Sequence, residues 1–217
     1  TLQNGNFVYG AGDVKFKDLN GDGKIDGGKM TLEDHGDLKV IGNTQPRYLY
    51  NARIGGTFKN FDVDIFIQGV GKRSWWGIGN MVLPMYQGLD ILYANQLDYW
   101  TPENTGAYYP RPNANNQTGK ISGINAGGNN FYPQTKYLLN LAYCRLKNVT
   151  VGYTLPSSLL KKYSVQKLRV YVSGQNLFEF SNVGAPLDPE ITDGESGFTG
   201  RTFPFMRQYA FGLQVSL

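Results

Sequence analysis

Residues 47–68 alternate apolar and polar side chains twice, with only two residues between the runs. On one parity stand Tyr48, Tyr50, Ala52, Ile54, Gly56 and Phe58; on the other Arg47, Leu49, Asn51, Arg53, Gly55 and Thr57. After Lys59-Asn60, the residues Phe61, Val63, Ile65 and Ile67 alternate with Asp62, Asp64, Phe66 and Gln68. A repeat of two belongs to strands, whose side chains point to opposite faces in turn. The pattern therefore predicts a tight hairpin over 47–70, one face apolar and aromatic, the other polar.

The same repeat returns three times toward the C-terminus. Val149, Val151, Tyr153 and Leu155 alternate with Asn148, Thr150, Gly152 and Thr154; Leu168, Val170 and Val172 with Arg169, Tyr171 and Ser173; Tyr209, Phe211, Leu213, Val215 and Leu217 with Gln208, Ala210, Gly212, Gln214 and Ser216. The first of these strands is expected to begin near Tyr137. Arg145 and Lys147 then fall on its apolar parity, so either a bulge resets the alternation or they lie above the apolar band. The links alternate: tiny after Phe58, very long from about 70 to 136, moderate over 156–166 with room for one helical turn, and long again over 181–205. Structureless loops longer than about 12–15 residues are uncommon in compact domains. Long loops at one end and short turns at the other are what an outer-membrane barrel shows, with lipid outside and a wet lumen inside.

Composition fits this reading. Twenty-eight Gly, 15 Tyr and 12 Phe stand beside only 18% charged residues, as in proteins where aromatics cover a pleated surface and glycine serves turns. One Cys excludes an internal disulfide and one His excludes a two-histidine centre. The net charge of +4 is spread along the chain and gives no argument for nucleic acid. There is no apolar run of about 18 residues and no leader-like N-terminus.

In the long loop, Leu89, Leu92, Tyr93, Gln96, Leu97 and Trp100 lie at helical spacing before Thr101-Pro102 and predict a helix of about three turns. Residues 113–130, rich in Asn and Gly, read as a flexible tip.

Residues 18–26 read Asp-Leu-Asn-Gly-Asp-Gly-Lys-Ile-Asp, the front of an EF-hand-like calcium loop. Asp18, Asn20, Asp22, the Lys24 carbonyl and Asp26 supply the oxygens a hard divalent cation takes, and Gly23 permits the sharp turn. Lys29 stands where the twelfth-position acid belongs. Looping out of 27–36 would return Asp37 or Glu33 to the site; the bland alternative is a solvated Asx/Gly turn. An ion here would be structural Ca2+, since no base or nucleophile pair lies nearby.

Several stretches together resemble the SusC/RagA-type TonB-linked outer-membrane transporters: GDVKFKDLNGDGKID (12–26), VIGNTQPRY (40–48), FKNFDVDIFIQGVG (58–71), YWTPENTGAYYPR (99–111), YCRLKNVTVGYTLP (143–156), LRVYVSGQNLF (168–178) and YAFGLQVSL (209–217). The resemblance implies an all-β fold: the last five antiparallel strands of a large transmembrane β-barrel of about 22 strands, with long extracellular loops. The domains would be a loop with the ion motif (1–46), the hairpin (47–70), a second loop with a short helix (71–136) and three C-terminal strands (137–217). It further implies a SusD-like surface lipoprotein as lid, TonB acting through an N-terminal part, a plug and the remaining strands outside this chain, and import of glycan oligomers or peptides across the outer membrane of a Gram-negative bacterium. Family members often complete the ion motif with an Asp just before a VIGN-like sequence, a position Asp37 matches. Five strands cannot close a barrel, so the chain is expected to be a piece of a larger polypeptide.

Trp75 and Trp76 could stack on a sugar or sit at a membrane interface. Tyr108, Tyr109 and Arg111 are possible lid or ligand contacts. Asp62, Asp64, Gln68 and Arg169 would line the lumen. Cys144 reads as a small apolar filler, His35 as a solvated side chain, and the Asn148-Val149-Thr150 sequon as incidental to a strand. Two other readings compete: a soluble calcium-stabilised carbohydrate-binding β-protein, which would need a second sheet over the aromatic face, and an enzyme, for which no carboxylate pair has a sequence argument.

Overall fold

A computed structural model describes residues 9–84, 92–112, 129–161, 164–184, 187–191, 200 and 202–217. The chain divides into two compact units, one built from 1–42, 75–139 and 192–202, the other from 43–74, 140–191 and 203–217.

The second unit is a five-stranded antiparallel sheet in the order β1-β2-β5-β6-β7, with β1 at Tyr48–Phe58, β2 at Phe61–Gly71, β5 at Tyr143–Thr154, β6 at Lys167–Ser181 and β7 at Gln208–Ser216. Two-residue strands β3 (Ser74–Trp75) and β4 (Leu139–Asn140) form a separate ladder. The five long strands are those the alternation predicts, in the expected up-and-down order. The hairpin turn sets Lys59 at φ 53°, and a single helical turn α1 (Ser157–Leu160) occupies the β5–β6 link. Both short connections leave one end of the sheet; the β2–β5 and β6–β7 connections leave the other.

Register fixes the faces. Ile54 pairs with Ile65, Ile65 with Val149, Val151 with Val172, and Val172 with Phe211. These rows stack on one face. Asp62, Asp64, Gln68, Arg169 and Tyr171 take the opposite face by the same pairing.

A bulge, one of the two alternatives left open for Arg145 and Lys147, is what the strand adopts. Ile65 faces Val149, yet Ile67 faces Leu146, so β5 carries one extra residue. The extra residue returns Cys144 and Leu146 to the apolar face and turns Arg145, opposite Gln68, to the polar one. β6 breaks register at the same level, where Asn176 sits at φ 52° and its Nδ2 donates to the Met206 carbonyl at 3.2 Å. Asparagine is among the few non-glycine residues that enter this region readily, which gives the Gln-Asn-Leu-Phe sequence a physical role. β5 itself begins at Tyr143, later than the expected start near Tyr137.

The apolar face is bare. Phe58 is 72% exposed, Phe211 84% and Leu213 71%. Aromatic rings lie over glycines on both faces: Tyr50 covers Gly69 and donates its hydroxyl to the Tyr143 carbonyl at 3.0 Å, and Tyr171 covers Gly212.

The first unit has its own small core of Val82, Leu83, Tyr109, Phe131 and Tyr137. The expected helix does not form over 92–100. A 3-10 turn at Ala94–Gln96 stands there instead, and residues 85–91 lie outside the described residues. The backbone is claimed elsewhere: Trp100 N–H donates to the Tyr109 carbonyl at 3.0 Å and Tyr109 N–H to the Asp98 carbonyl at 2.9 Å. Gln96, fully buried, donates to the Asn80 carbonyl at 2.6 Å. Long-range pairing here overrides the helical spacing. Of the expected flexible tip, 113–128 lie outside the described residues, while Asn130 is buried: its Oδ1 accepts from Val14 N–H and its Nδ2 donates to Asp13.

Candidate functional site: a two-faced sheet and its loops

On the polar face of the sheet, Arg169 on β6 binds Asp62 on β2 through Nε–Oδ1 at 2.8 Å and Nη2–Oδ2 at 2.5 Å. Arg53 on β1 reaches Asp64 on β2 at 2.8 Å. Gln68 shares the face, paired in register with Asn51 and Arg145. The residues expected to line a lumen thus occupy one face, and three of them, Asp62, Asp64 and Arg169, are held in charged pairs.

The densest charged cluster was not anticipated from sequence. Arg145 is only 2% exposed. Its guanidinium donates to Glu179 on β6, to Asp188 at 2.8 Å and to Glu190 at 2.7 Å; Lys147 donates to both oxygens of Glu190 at 2.7 Å. Phe205 lies 5.2 Å from the Arg145 guanidinium and 4.4 Å from Lys147 Nζ. Asp188 also accepts the Glu190 and Phe205 backbone N–H groups at 2.9 and 3.0 Å. Burial raises the Asp188 pKa, but those N–H donors and Arg145 outweigh it and hold the carboxyl below its ordinary value. A cation on a parity-breaking position of a strand was the sequence signal, because a buried charge requires partners. Asp188-Pro189-Glu190 supplies two of them.

In the loop unit, the 18–26 segment folds as a chain of side-chain caps. Asp18 accepts Gly21 and Gly23 N–H at 2.5 and 2.9 Å, Asn20 accepts Asp22 N–H at 3.0 Å, and Asp22 accepts Lys24 N–H at 2.8 Å. The 27–36 insertion closes on itself. Asp37 N–H donates to the Asp26 carbonyl at 2.8 Å, while the Asp37 carboxylate accepts Leu19 N–H at 2.5 Å and Asp26 N–H at 2.9 Å. Gly36 makes this closure possible: a Cβ there would sit 2.5 Å from the Asp26 carbonyl oxygen. The Leu19 N–H foremost lowers the Asp37 pKa; desolvation opposes it, and the Asp26 and Asn20 N–H groups add to the lowering. Asp37, rather than Glu33, is therefore the acid brought back to the loop. The all-oxygen donor chemistry suits calcium; among the described residues, however, no group of three or more His, Cys, Asp or Glu side chains is gathered as a metal centre.

The five loop residues singled out as contacts separate. Tyr109 is buried and donates its hydroxyl to the Val82 carbonyl at 3.2 Å, with its pKa pushed to about 12 by burial and the neighbouring Tyr108. Arg111 binds the buried Asp13 carboxylate at 2.9 Å. Both serve the core of the loop unit. Tyr108 is 45% exposed, packs edge-on against Tyr109 and Tyr137, and has Lys136 5.9 Å from its ring. Trp75, on β3, and Trp76 are half-buried.

No family model matches the chain. Relatives do. It is 29% identical to TonB-dependent receptor P3 of Formosa agariphila over 98% of this chain and 21% of that protein. It is 25% identical to TonB-dependent receptor P26 of the same organism over 94% of this chain and 20% of that protein. Among solved structures, the RagAB peptide transporter superposes with a TM-score of 0.58 at 21% identity, over 81% of this chain and 18% of that one. The RagAB importer in its closed-closed state gives 0.58 at 20% identity over 89% of this chain.

The chain is thus homologous to the TonB-dependent receptors along nearly its whole length, and it has the fold of part of a β-barrel transporter, as its resemblance to the SusC/RagA type implies. It spans about a fifth of the length of the curated relatives it matches.

Proposed function

We propose that this chain forms a run of neighbouring staves in the barrel wall of a TonB-dependent outer-membrane transporter, with its long connections on the extracellular side. The observation that carries this reading is the two-faced sheet. Its apolar face exposes rings and branched side chains from all five strands, an arrangement that suits lipid, while its other face carries Asp62, Asp64, Gln68, Arg145 and Arg169. Among the described residues, β1 and β7 each pair with one strand only in this sheet. In a bilayer every backbone group must be satisfied, so further strands would close the wall. The TonB-dependent receptor relatives support coupling to TonB, and the likeness to the RagAB peptide transporter supports peptides as cargo; a SusD-like lipoprotein lid and glycan oligomers as a further cargo are carried by the resemblance of the sequence to the SusC/RagA type. No reaction is assigned to the chain, whose relatives are receptors and a transporter.

The test is a pair of charge insertions in the intact protein. Val172→Arg puts a cation on the lipid face, at a cost of about 2–4 kcal/mol if near the midplane, and should abolish outer-membrane accumulation. Asn51→Arg, on the polar face, should accumulate normally. Equal accumulation of both, in a protein soluble without detergent, would refute the barrel reading in favour of a soluble binding protein.

We also propose that the 18–37 loop takes Ca2+, with Asp18, Asn20, Asp22, the Lys24 carbonyl, Asp26 and Asp37 as its oxygen donors. Support comes from the return of Asp37 beside Asp26 and Leu19. Calcium near 1 mM, in the range of extracellular sites, should raise the unfolding temperature of the wild type and not of Asp37→Asn. No calcium-dependent shift in the wild type would leave a metal-free Asx turn.

A further inference from the structure

We infer that the loop unit carries its own small-molecule site, a cleft for a carboxylate-bearing ligand. The cleft has a volume of about 490 Å³ and lies wholly within that unit. This is within the size range of small-ligand pockets, about 300–1,000 Å³.

Its lining is chemically lopsided. Lys15, Lys17 and Lys136 contribute three cations, and Asp13 is the one acid. Asp13 is already committed: its side chain is 1% exposed, and it accepts from Arg111, Asn130 and the Gly10 N–H at 2.8–2.9 Å. Its charge is therefore spent inside the wall. Lys15 and Lys17 form no ion pair among the described residues. Lys136 lies 5.4 Å from the Tyr137 ring, a contact that fixes the ammonium without neutralising it.

Like charges gathered around a concave surface repel one another, and an anion relieves that repulsion. Ammonium groups bind carboxylates as point charges on flexible stems, which suits ligands of varied shape. The wall also carries rings beside small and aliphatic residues: Phe16, packed edge-on to Tyr132 at 6.2 Å, and Trp100. Gln134 supplies a polar contact point. Rings beside cations fit a ligand with an apolar or ring-shaped body and an anionic end. A peptide C-terminus and a uronic-acid sugar both meet this description. The site rests on the geometry of the loop unit alone, so it does not depend on the transport reading.

Trp100 provides the readout, since a ligand in the cleft changes its surroundings. The intact protein in detergent would be titrated with a short apolar peptide bearing a free C-terminus, with the same peptide amidated, with digalacturonate, and with its methyl ester. Tryptophan fluorescence and calorimetry would follow binding. At least one free acid should bind, and its neutral partner should bind at least about tenfold more weakly; which acid binds identifies the source. The Lys15→Gln/Lys17→Gln double variant should weaken that binding about tenfold, and Lys15→Arg/Lys17→Arg should largely restore it. These lysines are exposed, so neither pair threatens folding. Failure of both acids to bind, equal binding of acid and neutral forms, or binding indifferent to the glutamine pair would each overturn the proposal. None of these results bears on the charge-insertion test of the barrel.

Discussion

Arg169 and Asp62 lie on strands that do not touch, and they meet across the strand between them. Register sets Asp62 opposite Gly152, and Arg169 opposite Thr154. A Cβ on Gly152 would come within 2.5 Å of both the Arg169 Nε and an Asp62 oxygen. The missing side chain is the channel through which the pair connects. The bond ties β2 to β6 across β5 on the polar face, where the ladder alone would otherwise set their spacing.

Gly152→Val should therefore break the pair without touching either charge. We expect a lowering of the unfolding temperature by a few degrees, measured in detergent by circular dichroism. Adding Asp62→Asn to Gly152→Val should cost little more, because the interaction is already gone. Fully additive losses would show that the glycine matters for some other reason.

Arg145 should be the most sensitive position in the sheet unit. Arg145→Ala leaves Glu179, Asp188 and Glu190 gathered without their shared cation, and breaking a buried ion network by removing one partner costs about 3–5 kcal/mol. Lys147→Ala should cost less, since Glu190 keeps Arg145. Chemical denaturation of the two variants under matched conditions gives the order.

Acid should loosen this cluster from the Asp188 side. Its pKa is held below the ordinary 3.8 in the folded state. A depressed folded pKa stabilises above the unfolded pKa, and that stability is lost as pH falls through the folded value. Protection of the Glu190 and Phe205 amides, both bound to Asp188 and each compared with its intrinsic exchange rate at the same pH, should fall below pH 3.8 and hold constant between neutral pH and 5. Asp188→Asn should show the lowered protection at neutral pH.

The tyrosine core of the loop unit responds to base instead. Tyr109 titrates near 12, against 10.0 ordinarily, and Tyr137 is raised further by burial and by Tyr108 and Tyr109. With folded values above unfolded ones, the stabilisation is complete below pH 10 and fades as pH rises toward 12. Absorbance at the phenolate band should show a late-ionising group of tyrosines that becomes ordinary on unfolding.

Asp37→Asn tests the base of the 27–36 insertion with or without an ion. The Leu19 and Asp26 N–H groups would lose an anionic acceptor, and charge-assisted bonds are the stronger kind. Their amide exchange should quicken, while that of Gly21 and Gly23, bound to Asp18, should stay closer to wild type.

The sheet was legible because a period of two is local: each residue reports its own face. Tyr48 to Phe58 and Phe61 to Ile67 could be assigned without knowing any partner. The parity break at Arg145 was visible too, but its meaning depended on Glu179, Asp188 and Glu190, two of which arrive on a loop with no repeat to place them. The helical spacing of Leu92, Gln96 and Trp100 misled for the complementary reason. Gln96 is buried against the Asn80 carbonyl, and Tyr109 takes the neighbouring backbone bonds. Tyr109 and Arg111 looked like ligand contacts because aromatic and cationic residues in a loop usually face outward. Asp13 and Val82 turn them inward, and neither is near them in sequence.

The docking of Asp188 onto Arg145, with Phe205 N–H bound back to Asp188, changes the polymer physics of the last long connection. A free excursion from the end of β6 to the start of β7 would pay closure entropy over its whole length. Pinched at its base, it becomes a short tether and a separate inner loop whose ends are already joined. Residues inserted between 188 and 205 would then lengthen a loop closed by its own stem, adding only logarithmically to its cost and leaving the β6–β7 register untouched.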